Sequence, residues 1–154
     1  MSDLEQYTSS IISSLPGMAY RCLFDKNGTM KFLSKQCKEI TGFETSDIVD
    51  NKKIAFNDLI LPEDHLKIWK NVQDSVQNKD FFENVYRIKT KNNEIKWIWD
   101  RGKGIFNSQG ELLFLEGFIE DITQMKKIED ELRRSEGRNS ILLEKIPATV
   151  WTVD

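Results

Sequence analysis

At 154 residues and 18.0 kDa, with 39% hydrophobic residues, the chain has room for one globular domain with a real core plus a tail. Its net charge of −3, from 22 basic and 25 acidic side chains, supplies no field that would draw it to nucleic acid or an anionic membrane. No apolar run approaches the ~20 residues that span a bilayer, and the N-terminus lacks the basic and apolar regions of a signal peptide, so a cytoplasmic fragment without a membrane span is expected.

Residues 1–15 place Leu4, Tyr7, Ile11 and Leu15 at helical spacing before Pro16-Gly17 breaks the pattern, which predicts a short amphipathic helix. Residues 18–25 and 30–34 read as a first hairpin around Asn27-Gly28, with Tyr20, Cys22 and Phe24 on one face. The formal sequon Asn27-Gly-Thr is turn chemistry rather than a glycan site. Cys22 and Cys37 match neither a zinc site nor a redox pair in spacing and are expected to be reduced core thiols. Ser34 is placed to cap a helix of about two turns that carries Cys37 and Ile40 inward and stops at Gly42. A further short helix starts near Ser46, and the stretch from there to Pro62 has no clean period.

Pro62-Glu63-Asp64 is a helix start, with proline in the first turn and acids at the positive end of the dipole. Leu66, Trp69, Val72 and Val76 make its apolar stripe, expected to pack across the concave face of a sheet. Residues 81–91 read as a strand and Asn92-Asn93-Glu94 as a turn in which Asn93 takes a left-handed conformation.

Two β-rich runs, from Ile95 to Phe106 and from Glu111 to Thr123, are split by Asn107-Ser-Gln-Gly and predict an antiparallel hairpin. Setting Gly104 opposite Leu115 places Phe106 opposite Leu113, Gly102 opposite Gly117, Lys103 opposite Glu116 and Ile105 opposite Phe114. A slip of one residue would put Lys103 among apolar side chains. One face then presents Ile98, Asp100, Gly102, Gly104, Leu115, Gly117 and Ile119, the glycines leaving room above the sheet. The other presents Trp97, Trp99, Arg101, Lys103, Phe114, Glu116 and Phe118, an aromatic surface that wants a cover. If Lys89 pairs with Trp97 and Arg87 with Trp99, the cations stack on the tryptophans outside. Tyr86 and Asp100 then face each other inside, where the carboxylate either orients a small polar ligand or is satisfied by the protein itself.

From Met125 the period changes. Met125, Ile128, Leu132, Ser135, Asn139, Leu142 and Ile146 form a heptad seam that predicts a parallel two-stranded coiled coil, its register set by Ser135 and Asn139, ending at Pro147. Residues 140–154 echo residues 10–20, the start of a second copy, so the chain reads as a segment of a longer tandem-domain protein. No catalytic set is present: His65 is the only histidine, and there is neither a serine elbow nor a phosphate-binding glycine loop.

The ordered series Gly17-Met-Ala-Tyr-Arg-Cys, Ser34 through Glu39-Ile-Thr-Gly-Phe, Leu61-Pro-Glu-Asp, Tyr86-Arg-Ile, Trp97-Ile-Trp, Asn107-Ser-Gln-Gly and Asp121-Ile-Thr resembles a PAS domain with its C-terminal PAC segment, over about residues 10 to 125. The resemblance implies an α+β fold with five antiparallel strands, helices inserted between strands two and three, a flanking N-terminal helix and a C-terminal coiled-coil signalling helix. The division is then an N-terminal helix over 1–15, the sensor domain over 16–123, a linker helix over 124–146 and the start of a second repeat over 147–154. It implies a candidate ligand pocket of Tyr20, Cys22, Phe24, Phe32, Ile40, Trp69, Tyr86, Ile88, Ile98, Asp100, Gly102, Leu115 and Gly117. Asp121 and Thr123 would couple the core to the output helix, and Trp97, Trp99, Phe114 and Phe118 would form the outer, dimer-facing surface.

Some heme sensors of this family ligate iron through a histidine on the long helix, and His65 lies near that helix's start, in a place that resembles the family's ordinary polar helix-start residue. The Gly-Arg-Asn-Cys-Arg motif of the flavin-binding light sensors is absent, and Ile88 and Ile98 stand where their asparagines would be. Neither heme nor a cysteine-adduct flavin is therefore expected, and the cofactor is left open. The function implied is a sensory relay module of a multidomain receptor such as a sensor histidine kinase or a cyclic-nucleotide-signalling protein. Its partners would be a small ligand, a second copy and neighbouring sensory and output domains. The alternatives are a ligand-free dimerisation spacer with its core filled by Tyr20, Phe24, Phe32, Trp69 and Tyr86, and a heme or redox sensor resting on His65.

Overall fold

The computed structural model describes residues 16–144 and falls into two compact units that meet in sequence between Ile122 and Thr123. In the first unit, strands β1 (Met18–Cys22), β2 (Met30–Leu33), β3 (Phe82–Lys89), β4 (Ile95–Phe106) and β5 (Leu112–Asp121) make one antiparallel sheet in the order β2-β1-β5-β4-β3. Helices α1 (Cys37–Thr41), α2 (Thr45–Ile48) and α3 (Pro62–Gln77) lie between β2 and β3 in sequence, so the class is the expected α+β. The second unit holds helix α4, Thr123–Glu144. The helix expected over residues 1–15 and the repeat expected over 147–154 lie outside the described residues, as do Ile146 and the side chains of Asn139 and Leu142.

The alternation of the sequence places side chains on the faces it predicts. Along β4 and β5, Ile98, Asp100, Gly102, Leu115 and Ile119 turn toward the core while Arg101 and Lys103 are exposed. Gly102 opposite Gly117, Lys103 opposite Glu116, Gly104 opposite Leu115 and Ile105 opposite Phe114 all pair as expected. An irregularity between Ile105 and Phe106 then sets Phe106 against Leu112 rather than Leu113, which is left exposed.

Four further expectations are corrected. The β3–β4 turn closes earlier than read, by Thr90 N–H donating to Glu94 O and Asn93 N–H to Thr90 O, at 2.8 and 2.9 Å. Strand β3 therefore ends at Lys89, and the register slides by two residues: Arg87 meets Trp97, Lys89 meets Ile95, and Asn84 rather than Tyr86 meets Asp100. A slide of two preserves the faces, so the Arg87 guanidinium still lies over an indole, that of Trp97, at 5.5 Å. Asn93 takes the predicted left-handed conformation, with φ 65°.

On the opposite edge, a register shift between Arg21 and Cys22 pairs Tyr20 with Leu33, Arg21 with Phe32 and Cys22 with Met30. Both ends of the short strand β2 turn inward, and Phe32, expected in the core and pocket, is 44% exposed opposite Arg21. Ser34 does not cap a helix. Its Oγ accepts a hydrogen bond from Ala19 N–H at 2.9 Å, stitching β2's end to β1, and α1 is a five-residue helix preceded by Gln36 and closed by Gly42 at φ 83°.

Helix α3 is held alongside β3 by polar links. Asp64, in its first turn, accepts from Arg87 N–H at 2.9 Å, Nε at 3.2 Å and Nη2 at 3.1 Å. Asn71 Nδ2 donates to Glu83 O and to Asn84 Oδ1, both at 2.7 Å. Val72 is the member of the predicted stripe that is fully buried, whereas Leu66 is 65% exposed. The helix thus sits toward the β3 edge rather than squarely across the sheet.

Candidate functional site

The space above the sheet glycines is taken by rings from neighbouring strands. A Cβ on Gly117 would lie 2.5 Å from the Tyr20 hydroxyl, and one on Gly102 would lie 2.5 Å from the Phe82 ring. The two glycines are slots that let aromatic rings approach the sheet closely, and neither is in the lining of the cavity described below. Seated in its slot, Tyr20 donates its hydroxyl to Asp100 Oδ1 at 2.8 Å, and Tyr86 donates to Oδ2 at 3.0 Å. A carboxylate from β4 is thereby gripped by phenols from β1 and β3, each of which satisfies one of its oxygens. Tyr20 belongs to the predicted pocket, but its role as a donor to Asp100 was not read from the sequence.

The electrostatics follow from this arrangement. Burial pushes the Asp100 carboxyl up to about 7, against the pull of the two phenol hydrogen bonds. Burial first, and then the charge of Asp100, hold Tyr20 and Tyr86 well above the ordinary range of a phenol. Cys22, on the same face of β1, is pushed up to about 12 by burial and by Asp100, so it stays a neutral thiol rather than a nucleophile. Both cysteines are free and buried.

These groups form the floor of a cavity of about 410 Å³. Its walls include Met30, Phe56, Ile60, Phe82, Leu115 and Ile119, and its outer side is formed by Phe24, Leu66 and Trp69 with the 25–28 turn. The Phe24 and Trp69 rings stack at 4.4 Å. His65 also lines the cavity, with Nε2 2.8 Å from Ile60 O.

Of the residues assigned to the pocket from sequence, the structure puts Tyr20, Cys22, Phe24, Trp69, Tyr86, Asp100 and Leu115 on its lining. Ile40, Ile88 and Ile98 are buried in the core outside it, and Gly102 and Gly117 lie beneath the aromatic rings. Phe32 is on the outer side of the sheet. Phe56 and Ile60 were missed because they fall in the aperiodic stretch before Pro62, which forms a short 3-10 turn and an isolated bridge to Ile88. Phe82 could have been found, since it shares a strand face with Tyr86 four residues on.

On the outer face Trp97, Trp99, Phe114 and Phe118 are half-buried. The Arg21 guanidinium covers Phe114 at 4.8 Å while pairing with Glu116, and Trp99 Nε1 donates to Glu83 at 2.6 Å. Asp121, at the end of β5, lies 3.6 Å from Lys96 Nζ, and Thr123 is the first residue of α4.

The family described as PAS fold matches residues 30–119. The chain belongs to the PAS fold family. Among solved structures, the PAS domain resembles a sensory box histidine kinase/response regulator from Burkholderia thailandensis at a TM-score of 0.65 and 28% identity, covering 88% of this chain and 97% of that one. The chain is 28% identical over 148 residues to the methyl sulfide methyltransferase-associated sensor of Methanosarcina acetivorans, over 94% of this chain and 14% of that protein. It is 30% identical over 95 residues to the probable diguanylate cyclase DgcE of Escherichia coli, over 62% of this chain and 8% of that protein. The chain therefore spans a small part of either curated relative, and what it shares with them is a sensory signalling module. No helix among the described residues is long and apolar enough to cross a membrane.

Proposed function

We propose that this PAS domain is a ligand-binding sensor that relays occupancy of its cavity through the Asp121-Ile-Thr123 junction into helix α4. The observation that carries the reading is the cavity of about 410 Å³ with apolar walls and a convergent polar floor of Tyr20, Tyr86 and Asp100. That volume falls within the roughly 300–1,000 Å³ of small-ligand pockets, which pair hydrophobic lining with a few placed polar groups. A ligand would favour one arrangement of sheet and helix over another by its differential affinity for the two. The relay reading is supported by the chain passing directly from β5 to α4, with one residue between Asp121 and Thr123. Met125 and Ile128, 64% and 56% exposed on the α4 seam, support pairing with a second copy. The larger relatives support a place beside further sensory and output domains.

Native mass spectrometry of protein purified from cells tests the reading. A retained organic ligand that is lost in the cavity-filling variant Leu115→Trp supports it. A chain that carries nothing, and whose cavity methyl groups respond in NMR to no small apolar compound, refutes ligand binding and leaves a dimerisation spacer. Asp121→Ala, in a protein that retains its output domain, should make output constant while the domain stays folded, because Asp121 lies at the strand's end and changes outside the core cost well under ~2 kcal/mol. A normal response would show that the junction is only a tether.

A further inference from the structure

The chemistry of the cavity floor restricts what can bind there, given the ligand-sensor reading above. Tyr20 and Tyr86 each have one hydroxyl hydrogen, and both hydrogens are committed to Asp100, at 2.8 and 3.0 Å. With Asp100 ionised, its remaining lone pairs and those of the two phenol oxygens face the ligand, and no strong donor does. His65 extends the pattern. Its Nε2 is 2.8 Å from the Ile60 carbonyl, which can only accept, so Nε2 carries a hydrogen and spends it on the backbone rather than on a ligand. Cys22 contributes a weak thiol donor. Among the described residues Asp100 has no cationic partner, and Lys26, the lysine of the cavity lining, is exposed on the outer rim. A carboxylate or phosphate would meet a negative group and no strong donor at the floor.

We infer that the cavity takes a small primary amine with an apolar body, its ammonium group seated on Asp100 between the Tyr20 and Tyr86 hydroxyl oxygens. The three N–H donors of an ammonium match one carboxylate and two phenol acceptors, and a charge-assisted bond to a buried carboxylate is about twice as strong as a neutral one. The hydrocarbon part lies along Leu115 and Ile119 toward the stacked Phe24 and Trp69 rings. The amine supplies the counter-charge that the fold withholds from Asp100.

Proton linkage supports the assignment. With no cation among its protein neighbours, burial pushes the Asp100 carboxyl up to about 7. Tyr20 and Cys22 from β1 and Tyr86 from β3, which face it, keep their protons there, each being raised. His65 on α3, and Asp25 and Lys26 at the rim, are the other ionisable groups of the lining, and Asp25 is occupied by Thr29 N–H and Oγ1. Amine affinity therefore rises with pH through about 7 as Asp100 ionises.

The test uses the full chain and three probes of matched shape: phenethylamine, phenethyl alcohol and phenylpropionate. Methyl NMR shifts of Leu115 and Ile119 report binding. The expected order is amine, alcohol, carboxylate, with the amine about tenfold or more tighter than the alcohol near neutral to slightly basic pH. In Asp100→Asn the alcohol should still bind and the amine preference should vanish. Tyr86→Phe, which keeps the carboxylate but removes one acceptor, should reduce that preference without abolishing it, and serves if the first variant does not fold. An amine that binds no tighter than the carboxylate, or a preference that survives Asp100→Asn, overturns the amine assignment while leaving the cavity a binding site. If none of the three probes shifts either methyl group, the sensor reading falls and the assignment with it.

Discussion

Replacing Asp100 with asparagine isolates the energetic cost of the buried carboxylate. Its pKa rises from 3.8 to about 7 on folding, chiefly through burial. Because the folded value is the higher one, the folded state holds a proton that the unfolded chain has released between the two values. Stability from this group is complete below about pH 4 and is lost as pH rises through about 7, at about 1.4 kcal/mol per pH unit within the window. Integrated between about pH 5 and pH 8, the loss is about 2–3 kcal/mol. Asparagine has the same shape, can accept from one tyrosine and donate to the hydroxyl oxygen of the other, and cannot ionise. It therefore carries a pH-independent offset and none of the slope.

Urea unfolding followed by tryptophan fluorescence, run on both proteins across that range, gives the curve of interest as a difference. Subtraction cancels the other titrating groups, including Asp25 and Asp64, whose lowered pKa values confine their effects to the acid side. The expected result is a parent that loses ground steadily to Asp100→Asn as pH rises, and a carbon-13 signal of the Asp100 carboxyl that titrates near 7 in the parent. Parallel stability curves, or a carboxyl that titrates in the ordinary aspartate range, would refute the burial argument and with it the polar floor as drawn.

Tyr86→Phe removes one of the two hydrogen bonds that hold the Asp100 carboxyl down, so the same carboxyl titration should move further upward. Gly117→Ala should destabilise by about 1–3 kcal/mol in urea unfolding, because its Cβ would lie 2.5 Å from the Tyr20 hydroxyl and 2.7 Å from the Arg101 carbonyl oxygen; an unchanged midpoint would mean that the ring does not need the slot. Asp64→Ala should cost about 1–3 kcal/mol at neutral pH through the unpaired Arg87 N–H and guanidinium. Burial raises the Asp64 carboxyl, but the Arg87 bonds outweigh it and hold the group below the usual range, so this contribution is present above that range and is lost only as pH falls through the lowered value.

How far the sequence carries these conclusions depends on the range of the interaction each one rests on. Period-two alternation is local, so the faces of β4 and β5, and the inward positions of Asp100 and Tyr86, could be read directly, whereas the hydrogen bond from Tyr20 could not. Register depends on where turns close and where bulges fall. The shift between Arg21 and Cys22 that exposes Phe32, and the early Thr90–Glu94 closure that slides β3 by two, leave no trace in an apolar pattern. The glycines misled for a related reason: an absent side chain marks space, but its filling by Tyr20 and Phe82 is a tertiary fact.

The cavity is a step further removed, because it exists where α3 is not. Its helical stripe suggested a helix laid across the sheet, yet Asp64 and Asn71 tie it through Arg87, Glu83 and Asn84 to the β3 edge. Trp69 then meets Phe24 at the outer side of the cavity instead of filling the space over Tyr20 and Cys22. A few charged and amide side chains thus hold α3 against β3, where its residues His65, Leu66 and Trp69 line one side of the cavity. Their removal should change what the cavity admits before it changes the sheet, whose strand ladders do not depend on them.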